Sequence, residues 1–182
     1  MREIEVKTRL RDPEEFLRRA AAKGIKFDAP IMQEDVTFLD GTPKDDPAWN
    51  IIRLRKQGGR TILTMKYKAS DRSRDNHELE TEVKDFDQVE QMLGRLGYSV
   101  HVHIVKQRRF AHFDGLELCF DDVKDLGMFA EVEKLVDDTK GPVDIDAIQA
   151  ELWGILEELG ARSEDRTHLG YDQLMAEYLK VG

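Results

Sequence analysis

Glu78-Leu79-Glu80-Thr81-Glu82-Val83 alternates acid with non-acid residues, so an extended chain puts three carboxylates on one side and Leu79 and Val83 on the other. Exposed to water, that row of like charges would repel along a single strand and gain nothing. The same period of two returns along the chain. Residues 3–9 carry Glu3, Glu5, Lys7 and Arg9 on one face, with Ile4, Val6 and Leu10 on the other. Residues 51–55 set Arg53 and Arg55 against Ile52 and Leu54, and residues 62–68 align Lys66 with Lys68. Residues 102–110 align Lys106 with Arg108, and residues 116–121 set Glu117 and Asp121 against Leu116, Leu118 and Phe120. Residues 129–133 place Glu131 and Glu133 with Phe129, opposite Ala130 and Val132. These are strands with two distinct faces.

An antiparallel sheet with one wet face and one face on helices would show the same period. Wet strand faces mix Thr, Ser, Lys and Gln, however, whereas these mostly repeat one sign of charge within a strand. Summed over the strands, the acids (Glu3, Glu5, Glu78, Glu80, Glu82, Glu117, Asp121, Glu131, Glu133) nearly balance the bases (Lys7, Arg9, Arg53, Arg55, Lys66, Lys68, Lys106, Arg108). Sign-segregated and nearly balanced faces suit charges that meet across a lumen. The expected fold is α+β: a closed antiparallel barrel of about eight strands forming a charged tunnel, covered outside by helices.

Helix signals fall between these strands. Asp12-Pro13-Glu14-Glu15 offers an N-cap, a proline at the first helical position and acids in the first turn, with Gly24 as the stop. A second helix is expected from about Asp85 to Gly97 and a third after Pro142, ending at Gly160. A fourth is expected from about Thr167 to Leu179, with Gly170 inside it. Residues 40–47 and 69–76 read as loops rich in Asp, Gly, Pro and Ser.

The chain has 182 residues, with 40% hydrophobic and 36% charged, enough apolar material for a core but more charge than usual. Its net charge of −9 argues against capture of nucleic acid or anionic membranes by bulk electrostatics. A single cysteine, Cys119, excludes an intrachain disulfide. No apolar run is long enough to cross a bilayer and the N-terminus has no leader-like segment, so the expected location is the cytoplasm.

Clustered carboxylates on neighbouring strands repel unless a cation sits among them, and hard oxygen ligands select Mg²⁺ or Mn²⁺. Clustered Arg and Lys need an anion, and forked guanidinium groups match phosphate oxygens. Both together suit a metal-bound polyphosphate. Simple pairing across the lumen is the plainer alternative, but burying many ion pairs for structure alone is poorly rewarded.

The residues carry a resemblance. Glu3-Ile4-Glu5-Val6-Lys7 matches the E-x-E-x-K signature of the CYTH superfamily, the triphosphate tunnel metalloenzymes. Arg53-Leu54-Arg55, Met65-Lys66-Tyr67-Lys68, Glu80-Thr81-Glu82-Val83 and Lys106-Gln107-Arg108 resemble its basic and acidic strands in order. Phe120-Asp121-Asp122-Val123 through Leu126-Gly127-Met128-Phe129-Ala130-Glu131-Val132-Glu133 resembles its D-x-V-x-x-L-G-x-F-x-E-x-E run. Gly170-Tyr171-Asp172-Gln173-Leu174 is similar to its closing S-Y-x-x-L, with glycine in place of serine.

The resemblance implies one CYTH domain over residues 1–182. It implies Glu3, Glu5, Asp121, Glu131 and Glu133 as ligands for Mg²⁺ or Mn²⁺. It implies Lys7, Arg53, Arg55, Lys66, Lys106 and Arg108 as triphosphate-binding groups, with Glu5, Lys7, Lys66 and Arg108 nearest the chemistry. Glu80 and Glu82 are candidates for a second metal or for orienting the bases, and Lys68 is a lesser candidate. Val89 to Tyr98 and Ile104 to Arg108 look most like class IV adenylyl cyclases, which convert ATP to cyclic AMP and pyrophosphate. The alternatives are hydrolysis of thiamine triphosphate or inorganic triphosphate, and a polyphosphate-binding barrel without turnover. The partner implied is a nucleoside or other organic triphosphate, with no nucleic acid and no membrane, and a homodimer is allowed. Phe38, Trp49 and Phe129 read as core rather than as a base pocket. His101 and His103 read as strand residues rather than a zinc pair, and Cys119 as a small lumen-lining residue without a nucleophilic role.

Overall fold

In the computed structural model the described residues are 2–43, 46, 48–68, 76–137, 141 and 143–181. Nine strands and four α-helices are assigned among them. The strands are β1 (Arg2–Arg9), β2 (Ile31–Leu39), β3 (Asn50–Gln57), β4 (Arg60–Lys68), β5 (Asn76–Val83), β6 (Ser99–Phe113), β7 (Leu116–Val123), β8 (Gly127–Val136) and β9 (Arg166–Thr167). The helices are α1 (Pro13–Ala22), α2 (Phe86–Arg95), α3 (Ile145–Glu158) and α4 (Tyr171–Val181). No helix among the described residues is long and apolar enough to cross a membrane.

The three expected helix starts each use an aspartate. Asp12 accepts from the Glu15 amide at 3.0 Å, Asp85 from Gln88 at 2.9 Å and Asp144 from Ala147 at 3.0 Å. Each satisfies an amide that the first turn leaves without a partner. The Asp114-Gly115 link between β6 and β7 has φ of 49° and 75°. Asp-Gly turns of this mirror-image kind match the right-handed twist of a hairpin.

The chain divides into two compact units, Met1–Ile31 with Lys106–Leu169 and Met32–Val105 with Gly170–Gly182. In the first, β1 lies antiparallel between β8 and β9, and β7 lies antiparallel between β8 and the second half of β6. The even-numbered side chains of β1 and their neighbours, including Ile4, Val6, Leu118, Phe120, Ala130 and Val132, form a core with Phe16 and Ala20 of α1 and Leu152 and Leu156 of α3. In the second unit, β3 lies antiparallel between β2 and β4, and β5 completes β4. Phe38, Ile52 and Leu54 pack there with Leu93 of α2. In both units the helices claim the apolar faces and the charged residues take the opposite ones.

The antiparallel α+β architecture is as expected, its closure is not shown by the ladders, and one helix boundary needs correction. The hydrogen-bonded order is β5-β4-β3-β2-β6-β7-β8-β1-β9, nine strands with ends at β5 and β9, so among the described residues no ladder closes the sheet into a barrel. The fourth helix starts at Tyr171, not near Thr167. Thr167 belongs to β9, and Gly170 stands before the helix with its amide donating to Gln173 Oε1 at 3.3 Å. The stretch at 69–75 lies outside the described residues, Arg72 and Arg74 with it, as does the side chain of Lys68.

Candidate active site

The charged face of the first unit is fixed by register. Glu5 stands opposite Glu133 and Lys7 opposite Glu131 across β1 and β8, and Arg108 stands opposite Asp121 across β6 and β7. Glu131 is buried at 3% exposure and Asp121 at 0%. A carboxylate so deep needs cations, and both have them. Lys7 Nζ lies 2.9 Å from Glu131. Arg108 forks onto Asp121 through Nε at 2.7 Å and Nη2 at 2.5 Å, and Nη2 also donates to Glu131. Lys106 Nζ lies 3.7 Å from Asp121. Burial opposes ionisation of Glu131, but Lys7, Arg108 and Lys106 outweigh it and hold its carboxyl well below the usual range. Burial likewise works against the charge on Lys7 and Arg108. Glu131 overcomes it at both, helped by Glu5 at Lys7 and by Asp121 at Arg108, and both cations titrate above their ordinary values.

Beside this knot is a cluster of carboxylates, in which Glu5 lies 3.9 Å from Lys7 Nζ. Carboxylate oxygens of Glu3, Glu5 and Glu133 all lie within 4.8 Å of one another. Burial, then the charges of Glu131, Glu3 and Glu5, push the Glu133 carboxyl well above its ordinary range. A hard divalent cation fits such a group, because oxygen-only ligands suit it and its charge offsets the repulsion that raises the Glu133 pKa. Glu117, Cys119 and Glu133 form a second group at the same spacing. Cys119 Sγ points to Glu117 Oε1 at 3.7 Å, and burial followed by nearby carboxylates pushes the thiol up, so it stays protonated.

The second unit has its own charged face. Arg55 forks onto Asp35 through Nε at 2.7 Å and Nη2 at 2.8 Å, the two residues standing opposite each other across β2 and β3. Arg53 Nη2 donates to Thr64 Oγ1 at 3.2 Å, and Thr64 donates to Glu80 at 3.0 Å. The Nε of Arg53 is buried and has no hydrogen-bond partner among the described residues. Burial and the adjacent Arg55 lower the Arg53 pKa, so its charge is held at a cost that an anion would relieve. Lys66 pairs with Glu78, and with Arg53 and Arg55 it outweighs burial to lower the Glu78 pKa. Glu82 is exposed, 3.9 Å from Arg60.

The sequence expectation thus sorts geometrically. Glu3, Glu5 and Glu133 come together; Asp121 and Glu131 come together with Lys7, Lys106 and Arg108; Arg53, Arg55 and Lys66 line one face of the second unit. Phe38 and Phe129 are buried core residues. His103 meets Glu34 on β2 at 2.9 Å. Reasoning from sequence missed β2 altogether, and with it Gln33, Asp35 and Thr37, all buried on the charged face. The signal was the shared parity of those three, obscured by Glu34 on the opposite side.

An antiparallel α+β protein whose sheet faces bury interlocked lysines, arginines and carboxylates is a scaffold for a multivalent anion and its counter-cation. The chain belongs to the CYTH family, whose domain matches residues 1–171. CYTH enzymes act on triphosphate substrates and depend on a metal ion. The chain is 28% identical over 179 residues to a Methanocaldococcus jannaschii protein named "putative adenylate cyclase", covering 96% of this chain and 98% of that one. It is similar to the solved structure of a Pyrococcus horikoshii protein, with TM-score 0.79 and 27% identity over 96% of this chain and 98% of the other. The fold also matches that of a Hippeastrum protein described as a putative adenylyl cyclase with a dominant triphosphatase activity. The TM-score there is 0.57 and the identity 17%, covering 92% of this chain and 91% of the other.

Proposed function

We propose that this chain acts as one CYTH domain over residues 1–182 and converts ATP to cyclic AMP and pyrophosphate with Mg²⁺ or Mn²⁺. The observation that carries the reading is the adjacency, on one sheet face, of the Glu3, Glu5 and Glu133 carboxylates, within 4.8 Å of one another, and the buried cations Lys7, Lys106 and Arg108. Glu3, Glu5 and Glu133 would hold the metal. Asp121 and Glu131, expected from the resemblance as ligands too, would hold Lys7, Lys106 and Arg108 in place for phosphate oxygens. When bound, the metal would lower the pKa of the attacking ribose 3′-hydroxyl and neutralise phosphate charge.

The α-phosphorus gains a bond to that oxygen and loses its bond to the bridging oxygen of pyrophosphate, while the hydroxyl proton leaves to solvent water. Lys7 and Arg108 keep their protons, so they stabilise the leaving charge electrostatically rather than by proton transfer. Arg53, Arg55 and Lys66 form a further set of phosphate-binding cations, with Glu80 orienting Arg53 through Thr64 and Glu78 orienting Lys66.

A second reading, release of the terminal phosphate by water, draws on the activity given for the Hippeastrum protein. The test is a product assay. Purified protein is incubated with Mg²⁺ or Mn²⁺ and, separately, ATP, thiamine triphosphate and tripolyphosphate. Cyclic AMP plus pyrophosphate is expected from ATP. Orthophosphate instead would establish the second reading, and no product from any of the three would overturn both.

A further inference from the structure

One buried polar atom in the second unit is explained by no phosphate-binding role. Gln33 on β2 is 1% exposed and stands opposite Gln57 on β3. Its Nε2 donates to Gln57 Oε1 at 2.7 Å, which fixes the plane of the amide. Its own Oε1 is buried and has no hydrogen-bond partner among the described residues. Buried acceptors are almost always paired, and an aliphatic side chain would fill this space without the penalty. The amide has a position as well as a need. Along the strands, one pleat apart on the same face, come Arg53 opposite Thr37, Arg55 opposite Asp35, and Gln57 opposite Gln33. Within the β2–β3 pair the level after Arg55 is uncharged, Gln33 against Gln57; Arg60 stands beyond Gln57 on β4, near Glu82 at 3.9 Å, and makes no hydrogen bond to Gln33 Oε1.

We propose that Gln33 is a specificity-determining residue that reads the organic end of the triphosphate. Its Oε1 accepts a hydrogen bond from an amine on a nucleobase whose phosphates are held by Arg53 and Arg55. The inference rests on the triphosphate reading above and adds the substrate class: nucleotides whose base carries an exocyclic amine. A site that offers a lone acceptor to a substrate N–H rejects an analogue lacking it, because the acceptor is then buried unpaired.

The test compares initial rates with Mn²⁺ for ATP and for inosine triphosphate, which has an oxygen in place of the amine. Inhibition by tripolyphosphate supplies a phosphate-only reference. The expected preference for ATP in kcat/KM is on the order of tenfold, the size of one neutral hydrogen bond. Gln33→Leu is expected to erase that preference and leave the tripolyphosphate inhibition constant within about twofold. Loss of both together, or retention of the preference, would overturn the proposal while leaving the triphosphate reading intact. If the wild type turns over neither nucleotide, the nucleotide reading falls and this inference with it, while turnover of tripolyphosphate would leave the second reading standing. Should Gln33→Leu fail to fold, the wild type alone decides with purine riboside triphosphate, which lacks the amine without adding an oxygen. Turnover equal to that of ATP would overturn the assignment.

Discussion

Glu131→Gln is the sharpest perturbation of the charged face. Glutamine preserves the shape of the side chain but removes a negative charge that is 3% exposed, 2.9 Å from Lys7 and hydrogen-bonded to Arg108. Arg108 keeps Asp121, whereas Lys7 keeps Glu5 at 3.9 Å and the Leu169 carbonyl at 3.4 Å, both longer than the contact it loses. Removing one member of a buried ion network leaves the others uncompensated, which costs about 3–5 kcal/mol. For a chain of this size each kcal/mol moves Tm by about 2–4 °C, so a fall of roughly 6–20 °C is expected.

The effect has a pH signature. The Glu131 carboxyl ionises below its ordinary value of 4.5 when folded. Its stabilisation is therefore present above that value and is lost as pH falls through the lower folded pKa. The gap between wild type and variant should hold from pH 7 down to about 5 and close only in more acid solution. Thermal melts followed by circular dichroism test this, with Lys7→Met and the Lys7→Met/Glu131→Gln double variant completing a cycle. A fall below about 2 °C, or a double variant as damaged as the sum of the singles, would refute the reasoning.

Four other outcomes are expected. Asp35→Asn should raise KM for the triphosphate about tenfold and lower kcat less, because Arg55 loses one arm of its clamp; unchanged kinetics in folded protein would show that the clamp is only structural. Metal-free protein should lose stability as pH rises above 4.5, the ordinary value for Glu133, because its folded pKa is raised and its contribution is complete only below the unfolded value. Mg²⁺ or Mn²⁺ should accordingly bind with release of a proton and more tightly at higher pH, as calorimetry in buffers of different ionisation heat would detect, and Glu133→Gln should abolish that proton release. Leu156→Ala, which truncates a fully buried residue of α3, should cost about 2–5 kcal/mol in urea unfolding with an unchanged m-value.

The residues whose meaning is local could be read directly. Asp12, Asp85 and Asp144 cap helices because a short acid before an amphipathic run has one good use, and the parity of Glu3, Glu5, Lys7, Glu131 and Glu133 follows from the pleat alone. What could not be read depends on register. Parity puts Glu131 and Glu133 on one face but does not say that Glu131 meets Lys7 while Glu133 meets Glu5. That difference of one rung lowers the pKa of the first carboxyl and raises that of the second. β2 was missed because its charged face carries only Asp35 between Gln33 and Thr37, while Glu34 sits on the other side. β9 is two residues long, too short for any periodicity to show.

The lone thiol gives the first unit a built-in clock. Cys119 has no exposed surface and its sulfur resists ionisation, so alkylating or disulfide reagents cannot react with it while β7 remains in its ladder. Its labelling rate under native conditions then counts the openings of that strand, one molecule at a time. Occupation of the nearby carboxylates by a divalent ion should slow that count without any change in the reagent.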